Sequence, residues 1–315
     1  MVTQHIAKWM RRGEGPAERA EPIMPLKPRK MTFPFGTHIP RCWFGGSLFV
    51  THAINGLNLL FPAGERYFIR SVRRYQEAAR EDPALWQRVS GFMAQEVRHG
   101  IEHKRFFATL EAQGFELEAF LELYEERFYA RLEGTMPPAL LLSGTVALEH
   151  YTAALGEVAL TSSLLEGVDE VVGDLLRWHA AEEIEHKSVA FDVLEAAGIS
   201  YPTRVTGFLL GTLGLFGWWF VATRMLLRQE AALQARERAE GVAPPAEAAT
   251  PKLAEALDVT RGLFEHGVAQ AVVGGVLDYL RPDFHPDQRD NYAIAAAYLA
   301  AMDDPHDAPD VDHAA

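Results

Sequence analysis

The stretch HAAEEIEHKSVAFDV, His179 to Val193, sets three residues with metal-binding chemistry in helical register. His179, Glu183 and His186 stand at i, i+4 and i+7, positions that share one face of an α-helix. Leu176, Ala190 and Val193 continue the same face and are apolar. Ionisable groups therefore occupy the line that a bundle helix gives to its core, where burial without partners is costly. A divalent metal ion resolves that conflict, because carboxylate and neutral imidazole are both good ligands.

The same pattern occurs in three other segments. Glu96-x-x-His99 lies in the stripe Phe92, Glu96, His99, His103, Phe106 and Leu110. Glu65 is the one charge among Phe61, Phe68 and Val72, and Glu149 stands among Leu142, Thr145, Thr152 and Gly156. Each motif is weak alone, since E-x-x-H is common on soluble helices. Their order is more specific: a lone Glu then E-x-x-H, repeated, with separations of 31 residues (Glu65 to Glu96) and 34 (Glu149 to Glu183). Four-helix di-iron and di-manganese carboxylate sites use this set, one Glu from each of two helices and E-x-x-H from each of the others.

The chemistry accounts for the residue types. Four carboxylates offset the charge of two ions, with Glu96 and Glu183 expected to bridge them. One imidazole per metal leaves positions open for water, O2 or substrate. Ligation without thiolate suits iron or manganese, and zinc is also compatible. The expected ligands are Glu65, Glu96, His99, Glu149, His179, Glu183 and His186, holding two metal ions. His179, one turn before Glu183, reaches the metal that His186 holds; the alternative is a hydrogen bond from His179 to a bridging Glu. His103 reads as a hydrogen-bonding partner of a ligand or a core histidine rather than a ligand. His150 points about 100° away from Glu149 and is the other candidate partner. His285, in Phe284-His285-Pro286, is expected to cap a turn.

These residues need helices to position them, and the fold class expected is all-α. Residues 1–40 read as a flexible arm, from their proline and charge content. Residues 41–200 carry the four-helix core. Asp82-Pro83 and Pro137-Pro138 open helices, Gly114 closes one, and a single helix is expected from Val168 to Ala197 before Gly198. Residues 201–290 hold an apolar helix, a linker (Val242 to Pro251) and a further helical stretch from Leu253 to Leu280, packed on the bundle. Residues 291–315 end in a helix and a frayed acidic tail. Val205 to Thr223 contains no charged residue and just reaches bilayer-spanning length. Membrane contact, soluble burial and a homodimer interface are the alternatives there. Trp218 and Trp219 near one end suit an interfacial belt.

The chain has 315 residues and a formal net charge of −13, which argues against nucleic-acid binding. Its one cysteine, Cys42, excludes an internal disulfide and fits a reducing, cytoplasmic setting, with association at the inner face of the membrane as a further expectation. Arg11 and Arg12 are followed by no apolar run, so a secretory signal is not expected. No strand pattern, phosphate-binding glycine loop or G-x-S-x-G is evident.

The segments FPAGERYF (Phe61–Phe68), QEVRHGIEHKRF (Gln95–Phe106), ALEHYTA (Ala147–Ala153), WHAAEEIEHKSVAFDVL (Trp178–Leu194) and RPDFHP (Arg281–Pro286) resemble the ferritin-like di-iron carboxylate superfamily. Within it the chain looks like the bacterial predicted metal-dependent hydrolases. His179-x-x-x-Glu183-x-x-His186 is also similar to the helix of di-iron arylamine N-oxygenases, which place a third histidine on one iron. The resemblance implies a ferritin-like four-helix core with additional C-terminal helices. The first functional expectation is an O2-activating oxidoreductase acting on a small organic substrate, served by an electron donor. The alternative is a hydrolase using a metal-bound hydroxide, which needs an acid or base beyond the ligands, with His103 and His150 as candidates. A metal-binding, membrane-associated protein without catalysis is the third.

Overall fold

A computed structural model describes residues 19–36, 38–241, 262 and 265–303. The fold is all-α; the described residues add only an isolated bridge between Phe44 and Val168. The linker Val242–Pro251 and the start of the stretch expected from Leu253 lie outside the described residues.

Four helices matter most to the site: α2 (Phe61–Arg73), α4 (Pro83–Ala112), α6 (Pro138–Thr161) and α7 (Glu170–His186). They are preceded by α1 (Leu48–Asn58), with the short α3 (Gln76–Arg80) between α2 and α4. Local signals set their ends. The Asp82 carboxylate accepts from the amides of Ala84 at 2.8 Å and Leu85 at 3.3 Å, with Pro83 in the first turn, so α4 begins there. Asp169 caps α7 in the same way, accepting from Val171 at 3.1 Å. Gly114, at φ 97°, takes the left-handed conformation that stops α4.

The four helices touch in a closed ring, α2 on α4, α4 on α7, α7 on α6 and α6 on α2. Gly156 allows the closest approach of α6 to α7, since a Cβ there would stand 2.8 Å from the Ala180 carbonyl oxygen. The small residues around Glu149 thus serve close helix packing. Phe92, Phe106, Leu142, Trp178 and Ala181 fill the interior beside the buried acids and histidines.

Around this ring the helical run α5 (Glu118–Leu121, π-wound Glu122–Phe128, then Tyr129–Thr135) crosses between α4 and α6. Beyond α7 come α8 (Val189–Ala196), α9 (Tyr201–Ala239), α10 (Val268–Tyr279) and α11 (Tyr292–Asp303). α9 lies along α6 and α1, made possible on one side by Gly207, where a Cβ would meet the Ser143 Cβ at 2.2 Å.

The structure corrects two expectations. The single helix from Val168 to Ala197 is two, α7 and α8, separated at Lys187 and Ser188. There the Lys187 ammonium turns to the Arg289 carbonyl and the Asn291 side chain, and the Ser188 hydroxyl accepts from Arg88. Residues 20–36 are not a loose arm: Leu26 and Phe33 are buried, and Arg29 pairs with Glu182 and Glu185. Trp218 and Trp219 are also held by the chain's own residues. Trp218 packs among Phe120, Tyr124 and Phe128, and Trp219 donates to the Ala53 carbonyl at 2.6 Å.

Candidate metal centre

The ring of helices turns Glu65 (α2), Glu96 and His99 (α4), Glu149 (α6), and His179, Glu183 and His186 (α7) toward one another. None of these residues exceeds 4% exposure, so their charges are largely withdrawn from bulk water. Donor atoms of Glu96, His99, Glu183 and His186 lie within 4.8 Å of one another, and those of Glu65, His99 and His179 form a second group on the same criterion. His99 belongs to both, which joins them. Glu149 comes in through His186, whose Nδ1 stands 3.0 Å from Oε2 of Glu149.

Electrostatics shows what the cluster lacks as protein alone. Burial, then the neighbouring Glu149 and Glu183, push Glu96 well above the usual carboxylate range. Burial does the same to Glu65, against the pull of His99. Glu149 is pushed up to about 6 by burial and by Glu183. Both carboxylate oxygens of Glu65 and of Glu96, Oε1 of Glu149, Nδ1 of His99 and Nε2 of His186 are buried with no hydrogen-bond partner. Orphaned acceptors of this kind are rare in native interiors. A divalent cation satisfies them and offsets the repulsion, so the residues fit a metal.

Outer contacts fix which atoms face inward. His99 Nε2 lies 3.0 Å from Glu182, leaving Nδ1 toward the cluster. Burial pushes His99 down, but the hydrogen bond to Glu182 and the nearby carboxylates of Glu182 and Glu183 outweigh it and raise it to about 10. Glu182 is in turn held by Arg29 at 3.0 Å, and Arg29 also reaches Glu185 at 2.8 Å. Gln95 donates to the same Glu185 oxygen at 2.8 Å. The Thr152 hydroxyl donates to Oε2 of Glu183. Gly100 leaves room for Glu65; a Cβ there would stand 2.9 Å from its Oε2.

A family model described as predicted metal-dependent hydrolase matches residues 27–290. The chain belongs to that family. No curated protein and no solved structure matches it. The matched residues include the whole Glu–His cluster and the Arg29 clamp, so family and geometry point to metal ions at one place.

Sequence-predicted residues outside the cluster divide. His103 stands directly behind it, Nε2 2.6 Å from His179 Nδ1, with the Phe61 ring packed on both. Burial, then the charge of His99, drives His179 down to about 4, so the pair is neutral and shares one proton. His150 is not a partner of the centre. It bonds the Gly275 carbonyl at 2.9 Å and lines a separate polar cavity with Lys187 and Arg289. His285 caps a turn, accepting from the Asp287 amide at 3.2 Å. It also forms a further acid–histidine group with Asp192 and Glu195, whose carboxylates are paired to Arg88 and Arg19.

Sequence reasoning missed Glu182, Arg29 and Glu185. Glu182 and Glu185 lie off the line of His179, Glu183 and His186 on the helix; their burial follows from the packing of residues 20–36 over them.

The fold also forms a large apolar cavity of about 1050 Å³. Glu65, His179 and Glu183 stand in its lining, so it reaches the cluster. The rest of the lining is chiefly aliphatic and aromatic, including Leu57, Leu148, Leu155, Leu215 and Phe216.

Proposed function

We propose that this protein is a metal-dependent hydrolase with a dinuclear centre held by Glu65, Glu96, His99, Glu149, Glu183 and His186, with His179 as a seventh donor. The supporting observation is the set of orphaned, buried donor atoms from four ringed helices, within a family described as metal-dependent hydrolases. On this reading the ring is a ferritin-like bundle, and Glu96 and Glu183, facing each other from α4 and α7, would be central among the residues that hold the ions. Such ions supply Lewis acidity and an acidified water for hydrolysis, or, if iron, electrons for O2.

The chain's own residues do the rest. Glu182 accepts the Nε2 proton of His99 and keeps Nδ1 turned inward. His103 Nε2 accepts the proton that His179 carries on Nδ1, freeing His179 Nε2 for ligation. Thr152 holds one oxygen of Glu183, which sets the orientation of the other. Phe61, Phe92 and Trp178 pack against the histidine rings and exclude bulk water. The substrate approaches through the apolar cavity and meets the centre at Glu65, His179 and Glu183.

One observation favours O2-dependent oxidation as a second reading, the one placed first from the sequence. Neither His103 nor His150, the candidates for a general acid or base in hydrolysis, stands in the lining of the apolar cavity among the described residues. Oxidation of an apolar substrate does not need one. Reconstituted protein assayed with p-nitrophenyl esters of increasing acyl length, and separately for O2 uptake after anaerobic reduction, distinguishes them. Metal-dependent ester cleavage lost in Glu96→Ala supports hydrolysis. Oxygen uptake at about one O2 per two reduced metals, with no cleavage, overturns it in favour of oxidation.

A further inference from the structure

We propose that the apolar cavity binds a single-chain amphiphile, with an anionic head group at Arg224 and Arg228 and its chain running inward toward Glu65, His179 and Glu183. The assignment rests on the metal reading of that inner end only in naming where the chain is acted on; the binding site stands by itself.

At about 1050 Å³ the cavity is at the upper end of small-molecule sites, roughly 300–1,000 Å³. Its lining on α9 runs from Leu215 to Gln234, about 28 Å of helix at 1.5 Å per residue. It is therefore long, and it is apolar along most of that length, which suits a hydrocarbon chain better than a sugar or a nucleotide.

The lining differs in charge and exposure from part to part. Glu65, His179 and Glu183 are buried. Phe220, by contrast, is 65% exposed, and Arg224 and Arg228 are exposed. The two arginines stand at i and i+4, so their like charges share one face and repel. Neither pairs with a carboxylate among the described residues. The nearby acid of the cavity wall, Glu230, is already held by Arg41 at 3.0 Å and by Gln234 at 2.8 Å. Two guanidinium groups at the rim of this apolar cavity thus have no carboxylate partner among the described residues, in a chain of net charge −13. Guanidinium pairs well with carboxylate or phosphate oxygens, and either head group satisfies the rim. The bond acted on would then lie along the chain, away from the anionic group.

Calorimetric titration of the full-length protein, metal-loaded and metal-stripped, tests this with saturated fatty carboxylates of eight to fourteen carbons below their micelle concentrations. Dodecanol and dodecyltrimethylammonium are the uncharged and cationic controls, and lysophosphatidic acid is the phosphate-headed probe. One laurate should bind per chain, and affinity should rise about two- to fourfold per added methylene until the cavity is full. The double variant Arg224→Ala/Arg228→Ala, both positions exposed and no threat to folding, should weaken laurate at least tenfold and leave dodecanol unchanged. Leu155→Trp should obstruct chains of both kinds, and Arg236→Ala, farther along α9 and outside the cavity, should change nothing. A preference for laurate or for lysophosphatidic acid supports the site either way and names the source of the ligand. Absence of laurate binding, equal binding of the cationic amphiphile, or an undiminished affinity in the double variant overturns the proposal. Metal content is measured on the same samples. Metal bound without amphiphile contradicts this assignment alone; amphiphile bound without metal contradicts the metal reading alone.

Discussion

His103 Nε2 lies 2.6 Å from His179 Nδ1, and His179 Nε2 lies 2.8 Å from Glu183. The two contacts place His179 between the cluster and an outer imidazole that selects its tautomer. Outer partners of this kind are typically worth about 10- to 100-fold in metal affinity. His103→Ala should therefore keep the fold and the metal stoichiometry but weaken affinity in that range, read by chelator competition. His179→Ala should also keep both metals while changing the absorption spectrum of a cobalt- or iron-loaded centre. A His179→Ala spectrum identical to wild type would remove His179 from the donor set.

Glu182 stands 3.0 Å from His99 Nε2 and is held by Arg29. Glu182→Ala frees His99 to adopt the wrong tautomer and leaves the Arg29 charge part-paired. We expect a loss of metal affinity of about 10- to 100-fold, and a smaller loss in Arg29→Ala, because Glu182 then keeps its bond to His99. Wild-type affinity in Glu182→Ala would mean that the His99 orientation is set by packing against Trp178 instead.

What was legible in the sequence follows from what periodicity carries. Glu65, Glu96, His99, Glu149, Glu183 and His186 each break an apolar stripe at helical spacing, and that anomaly survives folding because the stripe faces the interior. Glu182 and Glu185 break no stripe. They are buried by residues 20–36, a segment without periodicity whose contact with α7 depends on Leu26 and Phe33 finding the core. The split between α7 and α8 was equally silent, because it arises from Lys187 reaching Asn291, 104 residues away. His150 was misjudged as a possible partner: it does point off the Glu149 face, but onto the Gly275 carbonyl of α10 rather than any ligand.

α9 carries Leu209, Leu213 and Phe220 at 59%, 73% and 65% exposure, a stripe of large apolar side chains on one helix. Its most apolar 18-residue window has mean hydropathy 1.6 and is 17% buried, long and apolar enough to cross a bilayer. We propose that this stripe contacts a membrane surface. Wild type should float with phosphatidylglycerol-containing vesicles, and Leu213→Glu/Phe220→Glu should not, with secondary structure unchanged. A wild type that stays with the soluble fraction and sediments as a dimer broken by the same substitutions assigns the stripe to a homodimer instead.

Glu230 gives a pH prediction away from the metal centre. Burial pushes its carboxyl up, but the His52 ring nitrogen 3.4 Å away, a hydrogen bond from Gln234 and the charge of Arg41 hold it below the ordinary range. A depressed folded value means the charged form is favoured by folding. The stabilisation is complete above the unfolded value, about pH 4.3, and is lost as pH falls through the lower folded value. Denaturant unfolding of wild type and Glu230→Gln should differ most at neutral pH and converge toward pH 3. A difference constant from pH 7 to pH 3 would show that the Arg41 pair does not act through this ionisation.

The central claim is that the buried Glu–His cluster holds two divalent ions. Metal analysis of protein reconstituted anaerobically with ferrous, manganous or zinc ions, then freed of loose metal, tests it most directly. The account predicts about two tightly held ions per wild-type chain, loss of both in Glu96→Ala and Glu183→Ala, and near-complete retention in His103→Ala. A wild-type chain that holds no stoichiometric metal, or a Glu96→Ala variant that loads as fully as wild type, would contradict it.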